Sequence, residues 1–172
     1  MKLYAKDMFF RGETEKEYDY CIHGKVIFNI GEVSLSDDSD WCVSASAYRF
    51  LETIFEDHKM GNEEFLIPCC GHSIYPSQDK ESVTIIGCNN GIDFDVVHND
   101  ESVIIKTADN AEYKIPFNDY KNAVLSFAKQ ISNFYESNPP RKFNDDFHKD
   151  GYETFMRSYR SLYEKATKQE KL

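Results

Sequence analysis

The feature that most constrains this chain is the pattern of residues 83–117. Residues 83–88 read as a strand, and Asn89-Asn90-Gly91 reads as a turn that tolerates positive φ. Ile92-Asp93-Phe94-Asp95-Val96 alternates apolar and acidic side chains, and residues 98–101 turn the chain again. Val103, Ile104 and Ile105 form an apolar strand suited to a sheet centre. Asp109-Asn110 turns into Tyr113, Ile115 and Phe117, which alternate once more. Connections this short hold no crossover helix, so the pattern predicts a four-stranded antiparallel meander over 83–117.

A sheet with one apolar face must cover it, and three amphipathic helices are available. Ala47, Phe50, Leu51, Ile54 and Phe55 recur at helical spacing, with Ser44 or Ser46 as N-cap and Gly61-Asn62 as the stop. Asn118 and Asp119 stand as N-caps before the stripe Tyr120, Val124, Phe127, Ile131 and Phe134, which Pro139-Pro140 closes. A last helix from about 152 to 166 places Phe155, Met156, Tyr159, Leu162 and Tyr163 on one face. Upstream, Val26, Phe28 and Ile30 share a strand face, Val33 and Leu35 share another after Gly31, and residues 65–68 form a short strand. The expected fold class is α+β, with a mainly antiparallel sheet, helices packed on one face, and residues 1–172 forming a single domain. The other sheet face, with Asp93, Asp95, Glu112 and Lys114, is expected to meet water.

With 41% hydrophobic residues, 13 Phe and 11 Tyr, the chain can fill a core. No stretch approaches the ~20 apolar residues of a membrane helix. Residues 1–10 contain Lys2, Lys6 and Asp7 and lack the apolar run of a secretory signal. Cys21, Cys42, Cys69, Cys70 and Cys88 are odd in number and irregular in spacing. That pattern reads as reduced thiols in a cytoplasmic protein.

No catalytic signature is present. Cys69-Cys70-Gly71-His72 supplies part of a zinc set, but the remaining candidates Cys42, Cys88, His58 and His98 are scattered, and no second ligand pair follows. A Cys–His nucleophile pair would have to come from tertiary contact. Counted from Asp38 as a calcium loop, position 6 is Val43 where glycine is needed. Phosphate loops and the nucleophile elbow G-x-S-x-G are missing. No cofactor or metal is expected.

Charge is more informative. The formal net charge is −10. Residues 1–36 carry 5 basic and 6 acidic side chains, residues 37–120 carry 5 and 17, and residues 121–172 carry 10 and 7. The negative charge therefore belongs to the middle of the chain, which speaks against nucleic acid as a ligand and for a basic partner. Asp37, Asp38, Asp40, Asp93, Asp95, Asp100 and Glu101 are the expected acidic contact residues. Tyr75 is the expected anchor, with Tyr18 and Tyr20 as further interface candidates and Trp41 as either anchor or core.

On these acidic residues, and on its size and its sheet-plus-helices outline, the chain resembles the immunity proteins of bacterial toxin systems. The resemblance is one of type and carries no subfamily motif. It implies a non-enzymatic protein that neutralises a cognate basic toxin domain, such as a nuclease, by pairing carboxylates with its Lys and Arg. The alternative is a small-molecule-binding or metabolic enzyme domain. It would have a pocket between sheet and helices in which His72 meets Cys69 or His98 meets Cys88. A third possibility is a homo-oligomer joined through the apolar face of the last helix.

Overall fold

The computed structural model describes residues 1–61 and 64–169. Its first sheet is built around β2 (His23–Ile30). β1 (Lys2–Phe9) lies antiparallel on one side, with Lys2 opposite Asn29 and a bulge between Lys6 and Phe9. At that bulge Asp7 takes φ +53°, and Gly24 has φ +155°. A Cβ on Gly24 would sit 2.8 Å from the Lys6 carbonyl oxygen, so the close approach needs glycine. β3 (Val33–Ser34) and β4 (Trp41–Cys42) share the opposite edge of β2 at its two ends.

All other pairings are also antiparallel. β5 (Ile67–Pro68) pairs with β8 (Gly91–Ile92), and β6 (Ser73–Pro76) pairs with β7 (Val83–Ile86). β9 (Asp95–Asn99), β10 (Ser102–Lys106) and β11 (Glu112–Pro116) form a meander with β10 central. The class is α+β and mainly antiparallel, as the pattern predicted. The meander, however, has three strands where four were expected. Residues 83–86 are claimed by β6 through a tight turn in which Ser77 Oγ donates to Asp79 Oδ1 at 2.6 Å and Lys80 adopts φ +58°. The expected continuous strand over 92–96 breaks at Asp93-Phe94. There Asp93 accepts from the Leu66 N–H, and Phe94 is buried against Phe28 and Phe50.

α1 (Val43–Glu52) follows directly from β4, and every residue from Val43 to Leu51 is buried. Ser44 and Ser46 are therefore inside the first turn and do not cap it. Ser44 Oγ accepts from the Ile22 N–H at 3.1 Å, and Ser46 Oγ donates to the Cys42 carbonyl at 3.0 Å. The helix ends at Glu52, nine residues before Gly61, with Thr53 as its C-cap; Asn62, the other half of the expected stop, lies outside the described residues. α2 (Phe117–Glu136) starts after Pro116, so Asn118 and Asp119 lie in its first turn, where the helix dipole favours a carboxylate. α3 (Asp146–Lys168) begins earlier than its apolar stripe implied. Its N-cap is Asp145, whose side chain accepts from the His148 N–H at 2.8 Å.

α1 packs against α2, α3, β2 and β5, and the core collects around it. Phe50 meets the rings of Phe28, Phe94 and Phe127 at centroid distances of 5.7, 6.1 and 6.2 Å. The buried tyrosine hydroxyls are paired: Tyr48 with Ser158, Tyr120 with Thr53, and Tyr159 to the Ala128 carbonyl. Arg49, also buried, donates to the Phe65 and Ile85 carbonyls and so ties α1 to the stretch before β5 and to β7. On the apolar face of α3, Phe155, Tyr159 and Ala166 are buried and Met156, Leu162 and Tyr163 half-buried, and the helix packs on α1, α2 and β6. Among the described residues no helix is long and apolar enough to cross a membrane.

Cys69 and Cys88 form a disulfide, whereas Cys21, Cys42 and Cys70 are free. The expectation of five reduced thiols is thus corrected, and the cytoplasmic expectation loses the argument on which it rested. The pairing was not legible because residues 69 and 88 are brought together only by the β5–β8 pairing.

Candidate functional site

The acidic residues expected to form one contact surface occupy different parts of the fold. Asp37, Asp38 and Asp40 are on the loop between β3 and β4, all exposed. Asp38 pairs with Lys25 Nζ at 2.8 Å, and Asp37 accepts from the Trp41 indole Nε1 at 2.9 Å. That contact leaves Trp41 buried, so it belongs to the core. Tyr75 is exposed on β6 beside the Phe147 ring, 5.4 Å away. Of the other two tyrosines in polar segments, Tyr18 is exposed, whereas Tyr20 is buried and is corrected from an interface candidate to a packed residue.

Asp93 and Asp95 were expected on an open sheet face. Their side chains are only 12% and 16% exposed. Asp93 Oδ1 accepts from His58 Nε2 at 2.8 Å and from the Leu66 N–H at 3.2 Å. Asp95 accepts from the Met60 N–H at 2.9 Å and pairs with Lys59 Nζ at 3.3 Å. Through these contacts the two carboxylates hold His58, Lys59, Met60 and Leu66 against the β8–β9 stretch. Alternation along the strand gave no sign of this, because the covering segment comes from another part of the chain.

Asp100 and Glu101 do remain exposed, in the turn between β9 and β10, where Asp100 takes φ +51°. They rim a groove of about 440 Å³ whose apolar floor is made by Ile54, Phe55, Pro116 and Phe117. His98 stands on the same wall, held by Asp57 through its Nδ1 at 2.8 Å. The His98 N–H first, and then this side-chain pair, keep the Asp57 carboxyl below its ordinary range. Lys165 Nζ lies 4.2 Å from the centroid of the Phe55 ring, so one face of this aromatic already accepts a cation.

A second constellation has no signature in the sequence. Asp19, His23 and His72 bring their ligating atoms within 4.8 Å of one another. Asp19 Oδ1 contacts His72 Nε2 at 2.8 Å, and its Oδ2 lies 3.4 Å from His23 Nε2. The Arg11 N–H donates to Oδ2 at 2.6 Å and the Cys21 N–H to Oδ1 at 3.1 Å. Burial acts to raise the Asp19 carboxyl, but the two imidazoles and the Arg11 N–H outweigh it and hold the group well below the carboxylate range. His72 is pushed up by its contact with Asp19, against the effect of burial.

The two imidazoles stack with centroids 5.6 Å apart, and the Tyr20 ring meets the His72 edge at 5.3 Å. His23 is opposite Cys42 in the β2–β4 pairing. Gly71 lets the loop that carries His72 lie flat on that thiol, since a Cβ there would come within 2.9 Å of both Cys42 Sγ and Ala45 Cβ. Cys42 stands at the N-terminus of α1. Its thiol is drawn down by contact with Cys21, then by Ser44 Oγ and the Ala45 N–H, and burial pushes the Cys21 thiol up. Both sulfurs are buried, so neither is open to a substrate. The His–Cys pairs expected of an enzyme pocket do not converge. Cys69 and Cys88 are bonded to each other, His72 is on Asp19, and His98 is on Asp57. Only the spacing of Asp19 and His23 was visible in the sequence, and the third member lies 49 residues further on.

No family model, curated protein or solved structure matches this chain.

Proposed function

We propose that this chain is a binding protein of the immunity type, which neutralises a basic toxin domain by seating its cationic side chains in the groove rimmed by Asp100 and Glu101. The observation that carries the reading is the combination in that groove of an apolar floor with exposed carboxylates. A partner's Lys or Arg lays its aliphatic stem on Phe117 and Pro116 and its charged head between the two acids. The excess of acidic over basic side chains in residues 37–120 supplies the longer-range attraction. Asp93 and Asp95 have a smaller part in this surface than their number in the sequence suggested, because their carboxylates are already engaged.

The test is co-expression with a basic toxic domain encoded by the neighbouring reading frame, followed by stopped-flow association of the purified pair. The expected result is rescue of growth and an association rate that falls steeply as salt is added. Asp100→Asn with Glu101→Lys, which keeps a residue tolerant of positive φ at position 100, should slow association by about tenfold or more while leaving the fold intact. Binding that ignores both salt and these substitutions, or no binding, refutes the reading.

A further inference from the structure

We propose that Asp19, His23 and His72 form a binding site for a divalent transition-metal ion of the zinc class. The site is independent of the acidic groove and shares no residue with it.

Three observations carry the proposal. The first is the donor geometry. A tetrahedral ion with bonds of about 2.0–2.2 Å keeps its ligand atoms roughly 3.4 Å apart. The His23 Nε2 to Asp19 Oδ2 separation is already 3.4 Å, and His72 Nε2 lies 2.8 Å from Asp19 Oδ1. A small swing of the half-exposed His72 ring opens the space for an ion between the three groups. The second is His23 itself. Its side chain is fully buried, and neither ring nitrogen has a hydrogen-bond partner among the described residues. Buried polar groups are paired as a rule, and an imidazole aimed at a carboxylate without completing a hydrogen bond is the exception that a metal bond accounts for.

The third observation is how the ligands are held and reached. Asp19 is oriented by the Arg11 and Cys21 backbone N–H groups, which provide the outer support that metal-binding carboxylates ordinarily have. His23 is fixed by β2, with the Phe9 ring 5.8 Å away. His72 is 39% exposed, which gives the ion a path from solvent and leaves a fourth position for water. Two imidazoles with one carboxylate suit zinc, cobalt or nickel and disfavour calcium and magnesium, which prefer all-oxygen shells.

A second cluster of metal-ligating type among the described residues, Cys69, Cys70 and Cys88, has two of its three sulfurs joined in the disulfide. It provides the alternative against which the test is framed. The full chain is stripped with a chelator and titrated with zinc by calorimetry, and with cobalt(II) by absorption spectroscopy. One ion per chain is expected, with the weak visible bands of nitrogen and oxygen ligation and a raised unfolding temperature. His72→Gln, at the exposed ligand, should weaken binding by about tenfold or more without unfolding the chain. Cys70→Ser should leave it unchanged. His23→Gln is a second variant, with circular dichroism reporting whether it folds. Absence of binding by the stripped wild-type chain overturns the proposal. So does affinity unaltered by His72→Gln, or intense near-ultraviolet sulfur-to-cobalt absorption that disappears in Cys70→Ser.

Discussion

Replacing Gly151 by alanine sets local propensity against tertiary packing. Gly151 is the sixth residue of α3, and on intrinsic grounds Gly→Ala in a helix gains about 1 kcal/mol. The structure opposes that gain. A Cβ at this position would lie 2.5 Å from the Ile74 carbonyl oxygen and 3.3 Å from Ile74 Cβ. The first contact is with the backbone of β6, which is held in its hairpin with β7, so it does not rotate away as a side-chain tip would. The helix must back off, and overpacking of this kind costs about 1–3 kcal/mol or somewhat more. A 2.5 Å approach to backbone puts the cost at the upper end of that range, about 2–3 kcal/mol, so the clash wins and leaves a net loss of about 1–2 kcal/mol. For a chain of this length that lowers the melting temperature by about 2–8 °C. The same displacement lifts Tyr152 and His148, whose rings pack on Tyr20 at 6.2 and 5.9 Å, so the near-ultraviolet circular dichroism of the tyrosines should weaken as well. Thermal and urea unfolding of Gly151→Ala are measured beside Ser161→Ala, an exposed α3 position where propensity alone acts and stability should rise slightly. If Gly151→Ala also melts higher than the wild-type chain, the close approach of α3 to β6 is wrong.

Two further outcomes separate buried from open carboxylates. Asp93→Ala leaves His58 Nε2 and the Leu66 N–H without an acceptor and should cost about 2–3 kcal/mol by urea titration. Asp100→Asn with Glu101→Gln, which keeps a residue tolerant of positive φ at position 100, should move the melting temperature by less than about 2 °C. Glu52 gives a pH signature. Burial first, then Glu64 and Glu56, push its carboxyl from 4.5 up to about 8. The folded chain therefore holds a proton that the unfolded chain has released, and stability falls as pH rises between those two values. Glu52→Gln should flatten the melting temperature between about pH 5 and pH 8, and parallel curves for the two proteins would disprove the assignment.

The strand over 103–105 and the helix stripes of α2 and α3 were legible because they depend on period alone. An apolar side chain every second residue, or every third and fourth, can be satisfied only by a strand or a helix with one covered face. Helix starts were less legible. Ser44 and Ser46 look like caps, but the chain enters α1 from a strand, and the Ser44 hydroxyl serves the Ile22 backbone instead. The break at Asp93-Phe94 is a similar case. Alternation cannot tell a carboxylate facing water from one covered by another part of the chain, and here His58 and Leu66 supply donors from outside the strand.

By itself, then, the sequence determined the class of fold, the apolar faces and the acidity of the middle of the chain, since each follows from neighbours along the backbone. Which carboxylates stay free, which cysteines bond, and the meeting of Asp19, His23 and His72 were decided by tertiary structure. Those properties depend on distances between residues far apart in the chain, and only the packing of α1 against β2 and the loops around it sets such distances.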